Sequence, residues 1–261
     1  MKREERFSDR VADYERARPG YPEAVVEALE GCGALFPGAV VADVGSGTGL
    51  SSRPFLARGY QVLAVEPNDA MRAAAERALG GAAGFRSVAG KAEATGLDDA
   101  SVDLVVAAQA FHWFEAEKAR AELRRILRPE GRVALLWNVR RGGGNPFLSG
   151  YEELLQRWAI DYSEVDHRRI GPAGIAAFFG GAHESFLFEN FQRLDRERLR
   201  ARLFSSSYTP PEGHPNREPM AAALDTLFDA HQRQGAVALA YDLELFVGPL
   251  AASTGARRAG D

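Results

Sequence analysis

A short glycine-rich stretch constrains the fold of this chain more than any other feature. Residues 40–44 are mostly apolar, which is typical of a strand buried on both faces. Gly45, Gly47 and Gly49 follow at alternate positions and allow a sharp turn that lies close to a ligand. A helix that starts at Ser51 would aim free N–H groups at a negative group. The pattern predicts a strand, a turn and a helix, either as a nucleotide-type site or as a plain connection.

The spacing of these glycines distinguishes one nucleotide ligand from another. Dinucleotide sites usually place the third glycine three positions after the second, whereas this chain has Leu50 there and reads G-x-G-x-G. The spacing disfavours a nicotinamide or flavin ligand, and with it an oxidoreductase, because a pyrophosphate needs the longer cradle. It favours S-adenosylmethionine, which has a ribose and a methionine carboxylate but no pyrophosphate.

A carboxylate at the end of the next predicted strand supports this interpretation. Residues 61–66 form a second apolar run that ends in Glu66, 23 residues after Asp43. An acidic residue at about this spacing can accept hydrogen bonds from both hydroxyls of a ribose. The alternative is an ordinary solvated glutamate at a strand end.

Strands and helices alternate along the first half of the chain. Further strands are predicted at residues 85–88, 102–108, 132–137 and 185–191, with an edge hairpin strand at 237–247. Asn68 or Asp69 is predicted to cap the helix after the second strand. The alternation predicts an α/β fold in which a doubly wound, mostly parallel sheet is covered by helices on both sides.

Composition and charge disfavour several classes of function. The 261 residues carry a formal net charge of −4, which disfavours nucleic acid as a partner because no surface built to neutralise many phosphates is evident. The apolar runs are shorter than the roughly 20 residues of a membrane helix, so no membrane partner is expected. Cys32 is the single cysteine and cannot form an internal disulfide or a multi-cysteine metal site. We expect a soluble, cytoplasmic protein without a metal centre.

Five motifs in combination resemble one enzyme family. They are residues 43–49, Glu66, the Gly-Lys-Ala-Glu turn at 90–93, the Gln-Ala-Phe-His-Trp-Phe patch at 109–114, and residues 127–131. The combination resembles the Rossmann-like (class I) S-adenosylmethionine-dependent methyltransferases of the type 11 group. Residues 18–22, the 207–208 region and Tyr241 resemble the trans-aconitate methyltransferase-like branch. The family commonly has two glycines where this chain has Glu130 and Gly131, a departure expected to alter a turn and not the chemistry.

The resemblance implies a seven-stranded sheet with an antiparallel last strand and an inserted helical cap. The residues implied in cofactor binding are Tyr14, Arg18, Asp43, Gly45, Gly47, Gly49, Glu66, Asn68, Ala92, Glu93 and Gln109. The glycines and the Asp43 region would surround the methionine moiety, and Glu66 would bind the ribose. Asn68 would lie beside the adenosine, Ala92 and Glu93 near the adenine, Gln109 near the sulfonium, and Tyr14 and Arg18 in a lid.

The predicted fold and site residues divide the chain into three segments. Residues 1–36 are predicted to form an amino-terminal lid and helix, 37–139 the S-adenosylmethionine-binding core, and 140–261 a cap segment with the strands that complete the sheet. Residues 18–22 are either a linker or part of the lid. The aromatic residues between 147 and 180 fit either a core or a pocket wall, and the arginines from 196 to 202 are predicted mostly to face water. The oligomeric state stays open between monomer and homodimer.

The chemistry of methyl transfer leaves the role of His112 open. The reaction mainly requires alignment of a nucleophile with the methyl group, so a general base helps but is dispensable. His112 is the candidate base because it follows the fourth predicted strand and titrates near neutrality; the alternative is that it packs or orients the loop. A small-molecule acceptor is the first hypothesis. The others are an RNA or protein methyltransferase and a non-catalytic S-adenosylmethionine-binding regulator.

Overall fold

The computed structural model describes residues 17–160, 162 and 170–251. The strands within them are β1 (Val40–Val44), β2 (Gln61–Val65), β3 (Phe85–Val88), β4 (Val102–Ala108), β5 (Leu127–Arg140), β6 (Glu184–Leu194) and β7 (Val237–Gly248). The helices are α1 (Ala24–Gly31), α2 (Ser52–Ala57), α3 (Asp69–Leu79), α4 (Ala116–Ile126), α5 (Pro146–Trp158), α6 (Gly171–Phe179), α7 (Arg196–Phe204) and α8 (Arg217–His231). Tyr14, predicted to contact the cofactor, lies outside the described residues.

All seven strands join one sheet in the order β3-β2-β1-β4-β5-β7-β6. The first five pair in parallel, and β7 runs antiparallel to both of its neighbours. This confirms the predicted α/β fold with a mostly parallel seven-stranded sheet and an antiparallel last strand.

The predicted edge position of β7 is wrong. This strand lies between β5 and β6, and β6 forms the edge. Inward side chains of β7 such as Leu243 and Leu245 are fully buried, as expected for a strand that is paired on both sides. By contrast, Leu187 and Phe191 of β6 are 67% and 73% exposed. An alternating pattern specifies one buried face of a strand but does not specify how many neighbours pair with it.

Helices cover both faces of the sheet, because successive side chains of a strand point to opposite sides. Val41 of β1 packs in the layer that contains α1 and α2, where Leu29 and Phe55 are buried. Ala42 packs in the opposite layer, with Leu123 of α4 and Phe178 of α6. These two layers account for the continuous apolar runs of the central strands.

A third apolar cluster joins α5, α7 and α8 to one end of β6 and β7. Tyr151, Leu155, Leu199, Leu224 and Tyr241 belong to it, and all five are at most 1% exposed. These helices form the inserted helical cap, whereas α6 packs against the sheet. Most of the aromatic residues between 147 and 180 are therefore core residues.

Side-chain caps fix the starts of three helices. The side chain of Asn68 accepts from the backbone N–H of Met71 at the start of α3. Asn145 caps α5 and Asp195 caps α7 in the same way. Each such cap typically stabilises a protein by about 1 kcal/mol. The cap at Asn68 is one of the two that the sequence predicted, and it fixes the chain directly after β2.

Candidate functional site

Two adjoining cavities lie at the carboxyl ends of β1 and β4. The sheet order reverses between these strands, and ligands of open α/β sheets bind in the crevice at such a point. The first cavity has a volume of about 260 Å³ and the second about 230 Å³. Gly45, Ala108, Gln109 and Trp113 border both cavities. A ligand that crosses Gly45 would therefore contact both cavities.

The glycines of the turn have different structural roles. All three have positive φ angles, of +73° at Gly45, +55° at Gly47 and +80° at Gly49. A Cβ atom at Gly45 would lie 2.6 Å from the Cβ of Ala110, and one at Gly49 would lie 2.4 Å from Leu79 Cδ1. A Cβ at Gly47 would meet nothing within 4 Å. Packing therefore requires glycine at position 45, whereas at position 49 the close atom is the end of a flexible leucine side chain, and Gly47 borders open space in the second cavity.

Asp43 is a buried carboxylate beneath this turn. The hydroxyls of Ser51 and Ser52 each donate to its Oδ2 over 2.7 Å, and Oδ1 has no hydrogen-bond partner among the described residues. Burial raises the pKa of Asp43 to about 6, and the two serine hydrogen bonds lower it only in part. Because Oδ1 of Asp43 keeps its capacity to accept a hydrogen bond, it is suited to a cationic ligand group nearby.

Two further polar atoms of the turn are buried without a partner. The hydroxyl oxygens of Ser46 and Thr48 make no hydrogen bond with any described residue. Buried polar groups are nearly always satisfied by protein, water or ligand. Ser46 borders the first cavity, so its hydroxyl is available to a polar ligand group at the turn, whereas Thr48 borders neither cavity.

Glu66 lies directly after β2 and borders the second cavity. Its Oε2 accepts from the backbone N–H of Gly47 over 2.9 Å, and its Oε1 accepts from that of Asn68 over 2.8 Å. Burial raises the pKa of Glu66, although both backbone hydrogen bonds oppose the shift. The carboxylate thus links the glycine turn to the start of α3. Each of its oxygens keeps one lone pair that can accept a hydrogen bond from a ligand.

The second cavity brings together most of the predicted cofactor residues. Asn68, Ala92 and Glu93 line it, and Ala92 is only 3% exposed. Glu93 Oε1 accepts from the backbone N–H of Glu115 over 2.8 Å, which connects the turn after β3 to the start of α4. Asp43 and Gly49 line neither cavity.

Gln109 and His112 lie where β4 ends. Gln109 has a φ of +55°, which is uncommon for a residue with a side chain and often marks a functional site. Its side-chain amide donates to the backbone oxygen of Asn138 over 3.2 Å. His112 lines the first cavity, and its ring centroid lies 4.9 Å from that of Trp113.

The first cavity is bordered by charged and aromatic side chains from distant parts of the chain: Arg18, Arg140, Glu152, Tyr162, Arg202 and Tyr208. Arg140 donates through Nη2 to Glu152, with which it forms an ion pair, and to Tyr162 Oη over 2.8 Å. Arg18 donates to the backbone oxygen of Ser205 over 2.9 Å. Arg18 was predicted to contact the cofactor, whereas Arg140, Glu152, Arg202 and Tyr208 were not among the predicted site residues.

The prediction that the arginines of α7 face water is wrong for Arg202. This residue is 5% exposed, whereas Arg196 and Arg200 are ion-paired with Asp225 on the surface. Position 202 is three residues after Leu199, which is also buried, so both lie on the same side of the helix. Arg196 has the same spacing to Leu199 and is not buried, so the local sequence does not distinguish Arg202 from its neighbours.

Two classes of site are not found in the part of the chain that the structure describes. Searched over those residues, histidine, cysteine and carboxylate side chains form no group of three or more that could hold a metal ion. Within the same residues, every helix is too short or too polar to cross a membrane.

Comparisons with known proteins identify methyltransferase relatives of this chain. The type 11 methyltransferase domain family matches residues 42–135. An uncharacterized methyltransferase from Mycobacterium tuberculosis is 39% identical over 140 residues, 51% of this chain and 52% of the relative. An uncharacterized methyltransferase from Schizosaccharomyces pombe is 34% identical over 155 residues, 58% of this chain and 59% of the relative. The match thus spans little more than half the length of these curated relatives.

The fold comparison extends over most of the chain. A solved structure from Anaeromyxobacter dehalogenans, assigned as a type II methyltransferase, has a TM-score of 0.65. It is 24% identical and covers 89% of this chain and 98% of its own. The trans-aconitate methyltransferase-like branch stays a prediction. The chain thus has the fold of the Rossmann-like (class I) methyltransferases, and its residues 42–135 match the type 11 methyltransferase domain family.

Proposed function

We propose that this protein binds S-adenosylmethionine across both cavities and transfers its methyl group to a small-molecule acceptor by in-line displacement. The observation that carries the proposal is the pairing of Gly47 with Glu66. Gly47 leaves open space where a side chain would stand, and the Glu66 carboxylate borders the same space. A nucleoside needs both a close backbone and a ribose acceptor.

The two cavities offer suitable groups for the two ends of this cofactor. Glu66 would accept from the ribose hydroxyls in the second cavity, with Asn68, Ala92 and Glu93 beside the adenosine. At the other end, Asp43 would attract the methionine ammonium group, and Arg18 would bind the methionine carboxylate. Hydrogen bonds to an ionised partner contribute about 1.5–3 kcal/mol each.

The methionine end of the cofactor has further polar partners in the turn. The hydroxyl of Ser46, which makes no hydrogen bond with a described residue, borders the first cavity and supports the placement of the methionine end there. Gly45 and Gln109 would border the sulfonium, because each borders both cavities.

The side chains of the first cavity would mainly position the acceptor. When bound, the cofactor supplies an electrophilic methyl group on a sulfonium that leaves as a neutral thioether. Alignment alone can contribute about 7–11 kcal/mol to such a reaction. His112 would remove a proton from an acceptor that needs it, a role that typically contributes roughly 10²–10⁴-fold. The alternative role of His112, orientation of the loop after β4, uses the same position.

The first cavity favours an enzyme over a non-catalytic cofactor-binding regulator. It extends from Gly45 to side chains of α5 and α7, which gives space for a second ligand beyond the glycine turn. Side chains of the helical cap border this space, as expected for a small acceptor. A formal net charge of −4 gives no support to an RNA acceptor.

Calorimetric titration with S-adenosylhomocysteine and with NAD⁺ tests the proposal. S-adenosylhomocysteine should bind tightly and NAD⁺ weakly or not at all, because the glycine turn has no longer cradle for a pyrophosphate. A labelled-methyl screen over small molecules, tRNA and proteins should then show transfer to a small molecule. Tighter binding of NAD⁺, or transfer only to a macromolecule, would contradict the proposed function.

A further inference from the structure

Arg202 is a buried cation that faces the first cavity. Its Nε donates to Tyr241 Oη over 3.1 Å and its Nη1 to Ser206 Oγ over 3.1 Å. Both partners are hydroxyl groups without a full negative charge. Nη2 forms no hydrogen bond with a described residue, and none of the described carboxylates forms an ion pair with this guanidinium.

Buried guanidinium groups are ordinarily compensated by an anion, because an isolated charge in a protein interior is strongly unfavourable. Arg140 follows this rule, since Glu152 pairs with it at the wall of the same cavity. Arg196 and Arg200 follow it on the surface of α7, where Asp225 pairs with both. Arg202 departs from the rule and is the most buried of the four.

The charges around the first cavity sum to an excess of positive charge. Among the described residues, three guanidinium groups border it, against one carboxylate, that of Glu152. The phenol of Tyr208 responds to this field. Burial would raise its pKa, but Arg140, Arg202 and Arg18 bring the pKa of Tyr208 below its usual value. The first cavity is therefore suited to an anion.

We propose that the methyl acceptor carries a carboxylate that binds Arg202. The inference rests on the proposed function, in which Arg18 binds the carboxylate of the cofactor. Because Glu152 neutralises Arg140, one positive charge remains, and a singly charged group balances it. A guanidinium binds a carboxylate through two parallel N–H···O bonds, and Nη1 and Nη2 of Arg202 provide such a pair of donors.

The first experiment uses the wild-type protein saturated with S-adenosylhomocysteine in a buffer free of carboxylate and phosphate. Sodium hexanoate, benzoate and cinnamate are titrated by calorimetry beside their primary amides and beside methyl phosphate. At least one carboxylate should bind roughly tenfold or more tightly than its amide and than methyl phosphate. Equal binding of acids and amides, no binding of either, or preference for methyl phosphate would overturn the inference.

The second experiment compares Arg202→Met with Arg198→Met. Arg198 is 60% exposed on the same helix, so the same substitution there leaves the cavity unchanged. Arg202→Met should weaken binding of the preferred carboxylate by roughly 10- to 100-fold, and Arg198→Met should not. If Arg202→Met does not fold, as judged by circular dichroism, the wild-type titrations decide the inference alone.

Titrations with S-adenosylhomocysteine and with 5′-methylthioadenosine, which lacks the amino acid part, separate the acceptor from the cofactor. Arg202→Met should leave both affinities unchanged. A loss for S-adenosylhomocysteine alone would show that Arg202 binds the carboxylate of the cofactor, which overturns the inference. A wild-type protein that does not bind S-adenosylhomocysteine would contradict the proposed function. One that binds it but does not distinguish acids from amides would contradict only the identity of the acceptor.

Discussion

Replacement of Asp43 by asparagine should stabilise the ligand-free protein and weaken cofactor binding. Burial raises the pKa of Asp43 from 3.8 to about 6, so the folded protein binds a proton there more tightly than the unfolded chain. The protonated Asp43 therefore contributes to the free energy of unfolding. This contribution is fully present below pH 3.8 and is lost as the pH rises through about 6. At about 1.4 kcal/mol for each unit of pKa, ionisation of Asp43 destabilises the fold by about 3 kcal/mol at neutral pH.

Asparagine removes this titration and keeps an oxygen that accepts from Ser51 and Ser52. The free energy of unfolding of Asp43→Asn relative to wild type should therefore increase by about 2.4 kcal/mol between pH 4 and pH 7. For a chain of this size, each 1 kcal/mol corresponds to about 2–4 °C in the melting temperature. The difference in melting temperature between the variant and wild type should thus grow by about 5–10 °C over this pH range.

Urea unfolding of the ligand-free proteins at a series of pH values measures this difference. Asp98→Asn, the same substitution at an exposed carboxylate, is the control and should follow wild type. Parallel pH profiles for Asp43→Asn and wild type would refute the reasoning. S-adenosylhomocysteine should bind wild type more tightly as the pH rises through about 6, and Asp43→Asn should lack this dependence.

Three further perturbations test other parts of the structure. Gly47→Ala should weaken S-adenosylhomocysteine binding at least about tenfold by calorimetry. The control Gly33→Ala imposes a similar backbone strain of roughly 1–2 kcal/mol far from the cavities and should leave the affinity unchanged. Equal affinities of the two variants would remove Gly47 from the site. His112→Ala should slow labelled-methyl transfer by roughly 10²–10⁴-fold with cofactor affinity retained, and a fully active variant would exclude the base role. Leu155→Ala should reduce the free energy of urea unfolding by about 2–5 kcal/mol, since the side chain is fully buried; a loss under 1 kcal/mol would contradict its place in the core.

The amino-terminal half of the fold could be predicted from the sequence because its signals are local. Buried parallel strands appear as continuous apolar runs, and each is followed by a turn and a helix within a few residues. Asn68 was identifiable as a cap, and Gly45 as a turn, from residue type and position alone. The site at the ends of β1 and β2 depends on the same local signals, which is why Gly47 and Glu66 were predicted to act together.

The wall of the first cavity could not be predicted because it depends on contacts between distant residues. Arg140 is paired with Glu152 across the loop before α5, and Arg202 meets Tyr241 only because β7 lies between β5 and β6. A local pattern contains no information about that strand order. The burial of Arg202 was not predictable from its helix either, since Arg196 and Arg200 on the surface have the same three-residue spacing to the buried Leu199 and Leu203.

Asp43 and Arg202 indicate opposite ligand charges on the two sides of the site. Each is a buried ionisable group with unused hydrogen-bonding capacity, so each destabilises the ligand-free fold and is relieved by a ligand of opposite charge. S-adenosylhomocysteine carries the ammonium group that suits Asp43, and an acceptor carboxylate suits Arg202. The increase in melting temperature caused by S-adenosylhomocysteine should therefore shrink in Asp43→Asn and persist in Arg202→Met. The further increase in melting temperature caused by a bound carboxylate should shrink in Arg202→Met and persist in Asp43→Asn. The same response in both variants would mean that one ligand group relieves both charges, and the two cavities would then form a single cofactor site.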